Sequence, residues 1–342
     1  MARIDITIRG AGIFGLSIAW EAISRGARVR VLDPGDPGAG ASGGIVGALQ
    51  PHTPDGWNAK KAFQRDALLI APGFWGAVEG VSGVPTGYRP AGRLQPLPHV
   101  RAVEMAKTRE GDAAQNWEGA VWEVVEAPGG AWCPPSPTGL FVRDTLSALI
   151  HPRRAVDSLA RALERRGVEI AVDAPDKGMV VHATGWRGLL DLSDAMNRPV
   201  GGGVKGQAAL LAFDAGEVPQ IFADGLHIVP HGDGTVAVGS TSERDFEDAA
   251  ATDAQADDLV RRARDILPVL GSAEVIETWA GVRPRATTRA PLLGWWPGRE
   301  GHAVANGGFK IGFGIAPMVA KVICDLVLDG RQTFPEEFRL SA

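Results

Sequence analysis

The chain has 342 residues, which is long enough to bury a large core and makes two domains the natural expectation. Its hydrophobic content of 45% and charged content of 22% are typical of globular proteins, and the net charge of −5 provides no basic surface for nucleic acid. The two cysteines, Cys133 and Cys324, make no disulfide framework, so we expect a reducing, cytoplasmic setting. The sequence predicts no membrane span and no signal peptide, because a strand begins close to Met1.

The N-terminal residues predict a strand, a glycine turn, a helix and a second strand. The apolar run Ile4–Ile8 leads into GAGIFG at residues 10–15, and an amphipathic stretch follows to Arg25. A second apolar run then ends at Asp33. This order is typical of a βαβ unit that binds a dinucleotide.

Each residue of that turn has a physical role in such a unit. Gly10 permits the tight turn, Gly12 lets the backbone approach a pyrophosphate, and Gly15 lets the helix pack close to the sheet. The N–H groups at the helix start, around Ile13 and Phe14, face the phosphates with a partial positive charge. Asp33 has the spacing of an acid that accepts hydrogen bonds from ribose hydroxyls.

The middle of the chain alternates helical and extended patterns. A small-residue loop follows Asp33, and His151 opens a helical period that ends near Gly167. We predict helices at 58–80 and 100–109, a strand with turns at 87–96, irregular structure or short strands at 117–143, and strands at 168–172 and 179–182.

The C-terminal half is predicted to be rich in strands. Two runs, 221–230 and 235–240, flank the turn at 231–234, which indicates a hairpin. Thr252 and Gln255 predict a capping box for a helix that ends near Leu267. Strands are expected at 274–282 and 302–306, and an amphipathic helix follows the glycines at 307–308.

Nine segments, in this order along nearly the whole chain, resemble the FAD-dependent D-amino acid oxidase superfamily, and above all its glycine oxidase and sarcosine oxidase-like members. They are GAGIFG with Asp33, GAGASGGIVGALQP (38–51), GYRPAGRLQ (87–95), HPRRAVDSLARAL (151–163), VVHATGW (180–186), VKGQ (204–207), GLHIVPHGDGTVAVGST (225–241), WAGVRPR (279–285) and NGGFKIGFGIAP (306–317).

The resemblance implies an α/β fold, α+β overall, in which a Rossmann-like FAD-binding domain is capped by a β-sheet-rich substrate domain. Both domains are expected to be discontinuous. We assign residues 1–80, 140–200 and 280–342 to the FAD-binding domain, and 81–139 and 201–279 to the substrate domain. Sarcosine oxidase relatives that bind FAD covalently use a cysteine near the GVRPR segment, and this chain has none there, so we expect non-covalent FAD.

The resemblance also assigns cofactor-binding residues outside the first βαβ unit. They lie in the loop after the second strand, at the exit of the 179–182 strand and before the last helix. These residues are Ala41, Ser42, Gly43, Gly47, Ala183, Thr184, Gly185, Gly307, Gly308, Phe309, Lys310 and Ile311.

Four residues are catalytic candidates. By resemblance, Arg283 holds the substrate carboxylate with a bidentate fork, for which Arg285 and Arg289 are the alternatives, and Lys310 adds a second cation. His52 follows the loop expected near the flavin ring, and His227 replaces a substrate-side tyrosine of glycine oxidase.

The expected reaction is oxidation of the C–N bond of glycine, an N-methyl glycine or a D-amino acid to an imine by hydride transfer to flavin. Dioxygen or another acceptor would reoxidise the flavin, and the chain could form a homo-oligomer. Two alternatives stay open: an FAD oxidase that acts on a carboxymethylamino group of modified tRNA, and a flavoprotein assembly factor without turnover. No metal site is expected, because no metal-ligand spacing occurs.

Overall fold

A computed structural model describes residues 4–341 of the chain. The strands in this range are β1 (Ile6–Arg9), β2 (Val29–Leu32), β3 (Ala48–Leu49), β4 (Arg93–Pro96), β5 (Trp122–Glu126), β6 (Leu140–Asp144), β7 (Ala148–Leu149), β8 (Glu169–Ala171), β9 (Met179–His182), β10 (Gly201–Ala212), β11 (Gln220–Ala223), β12 (Leu226–Pro230), β13 (Thr235–Gly239), β14 (Glu274–Ala286), β15 (Leu292–Trp295) and β16 (His302–Asn306). The α-helices are α1 (Ile13–Ser24), α2 (Ala59–Ser82), α3 (Val100–Asn116), α4 (Pro152–Arg165), α5 (Gly185–Ala195), α6 (Ala254–Ile266) and α7 (Gly312–Asp329).

The first sheet has six strands in the order β15-β16-β9-β1-β2-β8. β1 lies at its centre and pairs in parallel with β2 and β9, and only the edge strand β15 runs antiparallel to its neighbour. Ile6 and Ile8 of β1 are fully buried, as expected of a strand covered on both faces. The carboxyl ends of β1, β2 and β9 therefore meet at one edge, where the predicted cofactor residues follow.

The second sheet has eight strands in the order β14-β10-β13-β12-β11-β4-β6-β5. Its two faces are covered by different elements, because side chains of a strand alternate between faces. Ala209 and Leu211 of β10 belong to the same core cluster as residues of α6, whereas Ala208 and Leu210 cluster with Ile45 of the loop before β3. The face with Ala208 is called the site face below.

Helix α5 joins the two sheets. It follows β9 of the first sheet and contacts β10 and β14 of the second. Its Leu189 and Leu192 share a buried cluster with Ala286 of β14 and with Leu292 and Val304 of the first sheet. The core therefore continues from one sheet to the other and fixes their relative position.

The predicted fold class is confirmed: the molecule is a mixed α/β structure with a parallel, Rossmann-like sheet and a second, mostly antiparallel sheet. The predicted domain boundaries at 140 and 280 fall in strands of the second sheet, because β6 occupies 140–144 and β14 runs from 274 to 286. The division into two domains itself stays a prediction.

Within residues 4–341, no helix is both long enough and apolar enough to span a membrane.

Three local predictions were wrong in detail. The segment 221–230 is two strands, because Asp224 and Gly225 both adopt positive φ and form a tight turn. The N-cap of α6 is Asp253, whose side chain accepts a hydrogen bond from the N–H of Gln255, whereas the Thr252 hydroxyl bonds Thr278. Helix α3 continues past residue 109 to Asn116, where Ala113 is buried.

Candidate active site

The glycine turn after β1 is packed too closely for a side chain at its first and third glycines. Gly10 has a φ of +110°, and a methyl group built on it would lie 2.3 Å from the carbonyl oxygen of Ala183. A methyl group on Gly15 would lie 1.8 Å from the carbonyl oxygen of Gly10. The first and third glycines therefore bring β1, β9 and α1 into backbone contact, as the sequence predicted.

Gly12 differs from Gly10 and Gly15 because the space beside it is polar. The one atom near a methyl group built there is the Ser42 hydroxyl oxygen, at 3.2 Å. Ser42 accepts a hydrogen bond of 2.9 Å from the Ile13 N–H, at the first turn of α1. The predicted residues Gly12, Ile13 and Ser42 thus meet at the N-terminus of α1, where anions are favoured.

The carboxylate of Asp33 lies beside that helix start. One of its oxygens accepts a hydrogen bond of 2.6 Å from the N–H of Ala11, and the other accepts one of 2.9 Å from the N–H of Gly35. These two N–H groups fix the carboxylate at the carboxyl end of β2. Lone pairs remain free for ribose hydroxyls, which is the predicted role.

The segment before α7, near the C-terminus of the chain, also lies at the N-terminus of α1. A methyl group on Gly308 would lie 2.7 Å from the ring of Phe14, so the two residues are in contact. The N–H of Gly307, which has a φ of +74°, bonds the side-chain oxygen of Asn306. Asn306 in turn donates from its side chain to the carbonyl of Gly185. The 183–185 and 306–308 segments are therefore tied together.

Two predicted cofactor glycines have structural reasons to be glycine. A methyl group on Gly43 would lie 2.7 Å from the carbonyl oxygen of Gly38, and one on Gly47 would lie 1.7 Å from that of Ile150. Gly47 therefore permits close packing of the loop on the segment before α4. Ala41 begins a short 3₁₀ turn and Thr184 is the N-cap residue of α5, both at the same edge of the first sheet.

A cavity of about 160 Å³ brings together three of the four catalytic candidates, His52, His227 and Lys310. Its wall also includes Phe222 and Gln64. Gln64, on α2, accepts hydrogen bonds from both the backbone N–H and the Nδ1 of His52, and thereby fixes that ring. The predicted cofactor residue Ile311 lies on the same wall.

The fourth candidate, Arg283, lies on the site face of the second sheet. In the register of the sheet, Arg283 pairs with Val204, and Trp279 pairs with Ala208. His227 pairs with Gly239, which pairs with Ala208. Directly paired residues share a face, so Arg283 and His227 point to the same side.

The guanidinium of Arg283 is largely desolvated. Its Nη1 donates to the carbonyl oxygen of Thr241 at 3.2 Å, and within residues 4–341 it has no carboxylate partner inside 4 Å. Burial lowers its pKa to about 10, which the negative charge of Glu243 partly opposes. Arg93 is a buried arginine of the same sheet, but it is paired with Asp144 at 2.7 Å. Arg283 is therefore a desolvated positive charge without a carboxylate partner among the described residues.

Lys310 and Phe309 connect this arginine to the cofactor-binding edge. The N–H of Phe309 bonds the carbonyl oxygen of Pro284, and the cations of Arg285 and Lys310 lie 5.4 and 5.8 Å from the Phe309 ring centre. Desolvation and the charge of Arg283 lower the pKa of Lys310. Arg285, the alternative clamp, therefore packs over an aromatic ring, and Arg289 is exposed beyond the strand.

Both histidines at the cavity are neutral at pH 7. Burial, with smaller effects of Arg93 and Lys310, lowers the pKa of His227 to about 3. Burial also lowers the pKa of His52. The positive charge at this site therefore resides on Arg283 and Lys310.

Sequence reasoning missed three residues that shape the site. Gln64 orients His52, Thr241 supplies the carbonyl that Arg283 bonds, and Gly206 lies against the end of the guanidinium. Gly206 and Thr241 fall inside quoted motifs, but only the pairing of β10 with β14 shows why they matter.

The parallel sheet with its glycine turn is that of a dinucleotide-binding protein, and a second sheet with a small cavity is joined to it. Residues 5–326 match the FAD-dependent oxidoreductase (DAO) family, and the chain belongs to this family. FAD is therefore its cofactor, as the sequence predicted, and the prediction of a flavin-dependent enzyme is confirmed.

Curated relatives and solved structures agree with this assignment. The chain is 28% identical to the bifunctional protein ThiO/ThiG of Synechocystis over 95% of this chain and 52% of that protein, so it spans about half of the relative's length. It is 25% identical to the glycine oxidase of Geobacillus kaustophilus, over 95% of this chain and 93% of that one. The crystal structure of glycine oxidase from that organism has a TM-score of 0.86 at 20% identity, over 100% and 99% of the two chains. Iminodiacetate oxidase from Chelativorans has a TM-score of 0.83 at 20% identity, over 98% and 100%.

The described residues fit FAD. The turn at Gly10 and Gly12 carries no side chain that would block a pyrophosphate, and the N-cap position of α1 makes no side-chain cap of its own. Asp33 is fixed beside it by backbone N–H groups. Neither cysteine lies at the GVRPR segment: Cys324 is buried in α7 against Ile18, and Cys133 belongs to the loop between β5 and β6.

Proposed function

We propose that this protein oxidises the C–N bond of a small amino acid, namely glycine, an N-methyl glycine or a D-amino acid, to an imine. The observation that carries the proposal is the guanidinium of Arg283: desolvated, without a carboxylate partner in residues 4–341, and on the site face with His227. A desolvated guanidinium binds anions strongly, and the carboxylate of an amino acid is such an anion.

The size of the cavity supports a small substrate. At about 160 Å³ it is smaller than the roughly 300–1,000 Å³ pockets that hold drug-sized ligands. Arg283 and Lys310 would hold the carboxylate from two sides, while the neutral rings of His52 and His227 offer hydrogen bonds without further charge. Orientation of this kind is the main contribution that a protein makes when a cofactor performs the redox chemistry.

In this proposal the residues position the substrate and the cofactor accepts electrons. Bound FAD would supply the acceptor for the hydride of the α-carbon, and dioxygen or another acceptor would reoxidise it. The amine must be neutral to supply the electron pair of the imine, and its remaining proton leaves to solvent. Because Arg283 and Lys310 surround the carboxylate with positive charge, they also favour the neutral amine over the ammonium form.

The test is anaerobic mixing of the FAD-loaded protein with glycine, N-methyl glycine and a set of D-amino acids, followed by the loss of flavin absorbance. We expect at least one of them to reduce the flavin. Arg283→Ala should retain FAD but lose about 2–5 kcal/mol of substrate binding. Arg285→Ala is the matched control and should retain most of the affinity, because its cation lies over Phe309. A panel that never bleaches the flavin, or an Arg283→Ala variant with unchanged affinity, would contradict the proposal.

A further inference from the structure

The side chain of Arg283 extends along its sheet to the neighbouring strand, where its guanidinium bonds the Thr241 carbonyl. Arg283 is on β14, and the strand next to it is β10. A methyl group built on Gly206 of β10 would lie 1.9 Å from Nη1, 2.2 Å from Nη2 and 2.3 Å from the central carbon of Arg283. The end of the guanidinium, between Nη1 and Nη2, therefore lies where any side chain at position 206 would begin.

The negative charge that favours the charged form of Arg283 is the carboxylate of Glu243, which lies on the opposite face of the second sheet. Glu243 bonds the side chain of Gln207 and lies 3.8 Å from the ammonium of Lys205. Lys205 and Gln207 flank Gly206 on β10, so their side chains point away from the site face. Glu243 is thus near enough to favour the charged arginine but is separated from its fork by the backbone of β10.

Glu243 also fixes the carbonyl that Arg283 bonds. The hydroxyl of Thr241 donates to Glu243 and accepts a hydrogen bond of 2.8 Å from the N–H of Gln207. The backbones of Glu243 and Lys205 exchange two hydrogen bonds of 2.9 Å. The Thr241 carbonyl is therefore held against β10 by contacts that do not involve the substrate.

We infer that Gly206 is a positioning residue for substrate selection: its missing side chain leaves the space that the end of the Arg283 guanidinium occupies, so that Nη1 reaches the Thr241 carbonyl. This inference rests on the proposed role of Arg283 as carboxylate clamp. A side chain at 206 displaces only the end of a flexible arginine. The fold and the FAD site should therefore tolerate the change, and carboxylate recognition should not.

The decisive comparison is Gly206→Ala with Gly202→Ala. Both glycines lie on β10 and on the same face, but a methyl group on Gly202 meets only Leu190, at 3.9 Å. Alanine favours a strand interior over glycine, so both variants should unfold at or above the wild-type temperature. Each FAD-loaded protein would be titrated with acetate, which has the substrate's carboxylate, and with acetamide, its neutral analogue. Flavin absorbance measures ligand binding, and thermal unfolding measures stability.

We expect Gly206→Ala to weaken acetate at least tenfold, with FAD content and acetamide binding unchanged, and Gly202→Ala to stay within twofold of wild type. In an Arg283→Ala background, Gly206→Ala should have no further effect on acetate. If Gly206→Ala binds acetate like wild type, or loses FAD while Gly202→Ala keeps it, the inference is overturned and the clamp stands. If Arg283→Ala itself binds acetate like wild type, the clamp is wrong and the inference falls with it.

Discussion

At the scale of single residues, burial decides which groups at the cavity carry charge. The pKa of Arg283 falls only to about 10, so this arginine stays protonated at neutral pH. The pKa of His227 falls to about 3, so its ring is neutral above pH 5. The pKa of Lys310 is lowered from the ordinary lysine value by desolvation and by the charge of Arg283. Lys310 and Arg283 therefore both lose charge at alkaline pH, whereas His227 is already neutral there.

Carboxylate binding should therefore weaken as the pH rises through the pKa of Lys310. The protonated lysine attracts the carboxylate, so affinity is complete below that pKa and is lost above it. The loss should begin below the usual lysine value of about 10.4. The measurement is the dissociation constant of acetate between pH 7 and 10. Lys310→Arg is the control, and its profile should be flatter, because a guanidinium holds its proton more tightly. Identical slopes in both proteins would exclude Lys310 as the titrating group.

At the scale of elements, the βαβ unit separates glycines that are needed for packing from Gly12, which we propose lies at the cofactor. Gly15→Ala places a methyl group 1.8 Å from the carbonyl of Gly10, so the unfolding free energy should fall by about 1–3 kcal/mol or more. Gly12→Ala meets only the Ser42 hydroxyl at 3.2 Å, which can rotate, so the unfolding free energy should change by about 0.5 kcal/mol or less.

The same Gly12 methyl group would point at the place proposed for the pyrophosphate. Gly12→Ala should therefore raise the dissociation constant of FAD by about tenfold, which is about 1.4 kcal/mol. Titration of the apoprotein by flavin fluorescence and denaturant unfolding measure the two effects separately. A Gly12→Ala protein that binds FAD normally would show that the phosphates lie elsewhere.

The elements that could be predicted from sequence are those whose signal is local. The turn at Gly10, strand β9 and strand β16 were predicted because glycine spacing and apolar runs are read within a few residues. The hairpin at Asp224 and Gly225 also has a local Asp-Gly signal, but the apolar run on each side concealed it. The contact of Arg283 with Gly206 could not be predicted, because it depends on the register of two strands that are distant in sequence.

At the scale of the whole molecule, the cofactor edge of the first sheet touches the second sheet at several points. The ring of Trp279 on β14 lies within 3.2 Å of a methyl position at Gly44. Arg153 of α4 bonds the carbonyl of Gly43 and, through two hydrogen bonds, Glu277 of β14. The loop at 41–47, which we assign to FAD, is therefore held by both parts of the molecule.

Binding of FAD should consequently stabilise both sheets together. At a free FAD concentration of one hundred times its dissociation constant, the gain is about 2.7 kcal/mol, provided that only the folded state binds. Hydrogen exchange of the protein with and without FAD measures where this gain appears. We expect amides of β10 and β14 to gain protection along with those of β1 and β2, because Trp279 and Glu277 couple β14 to the cofactor loop. The edge strand β5, which is farthest from β14 in the strand order, serves as the internal control for global unfolding. Protection confined to the first sheet would show that the two sheets respond to FAD independently.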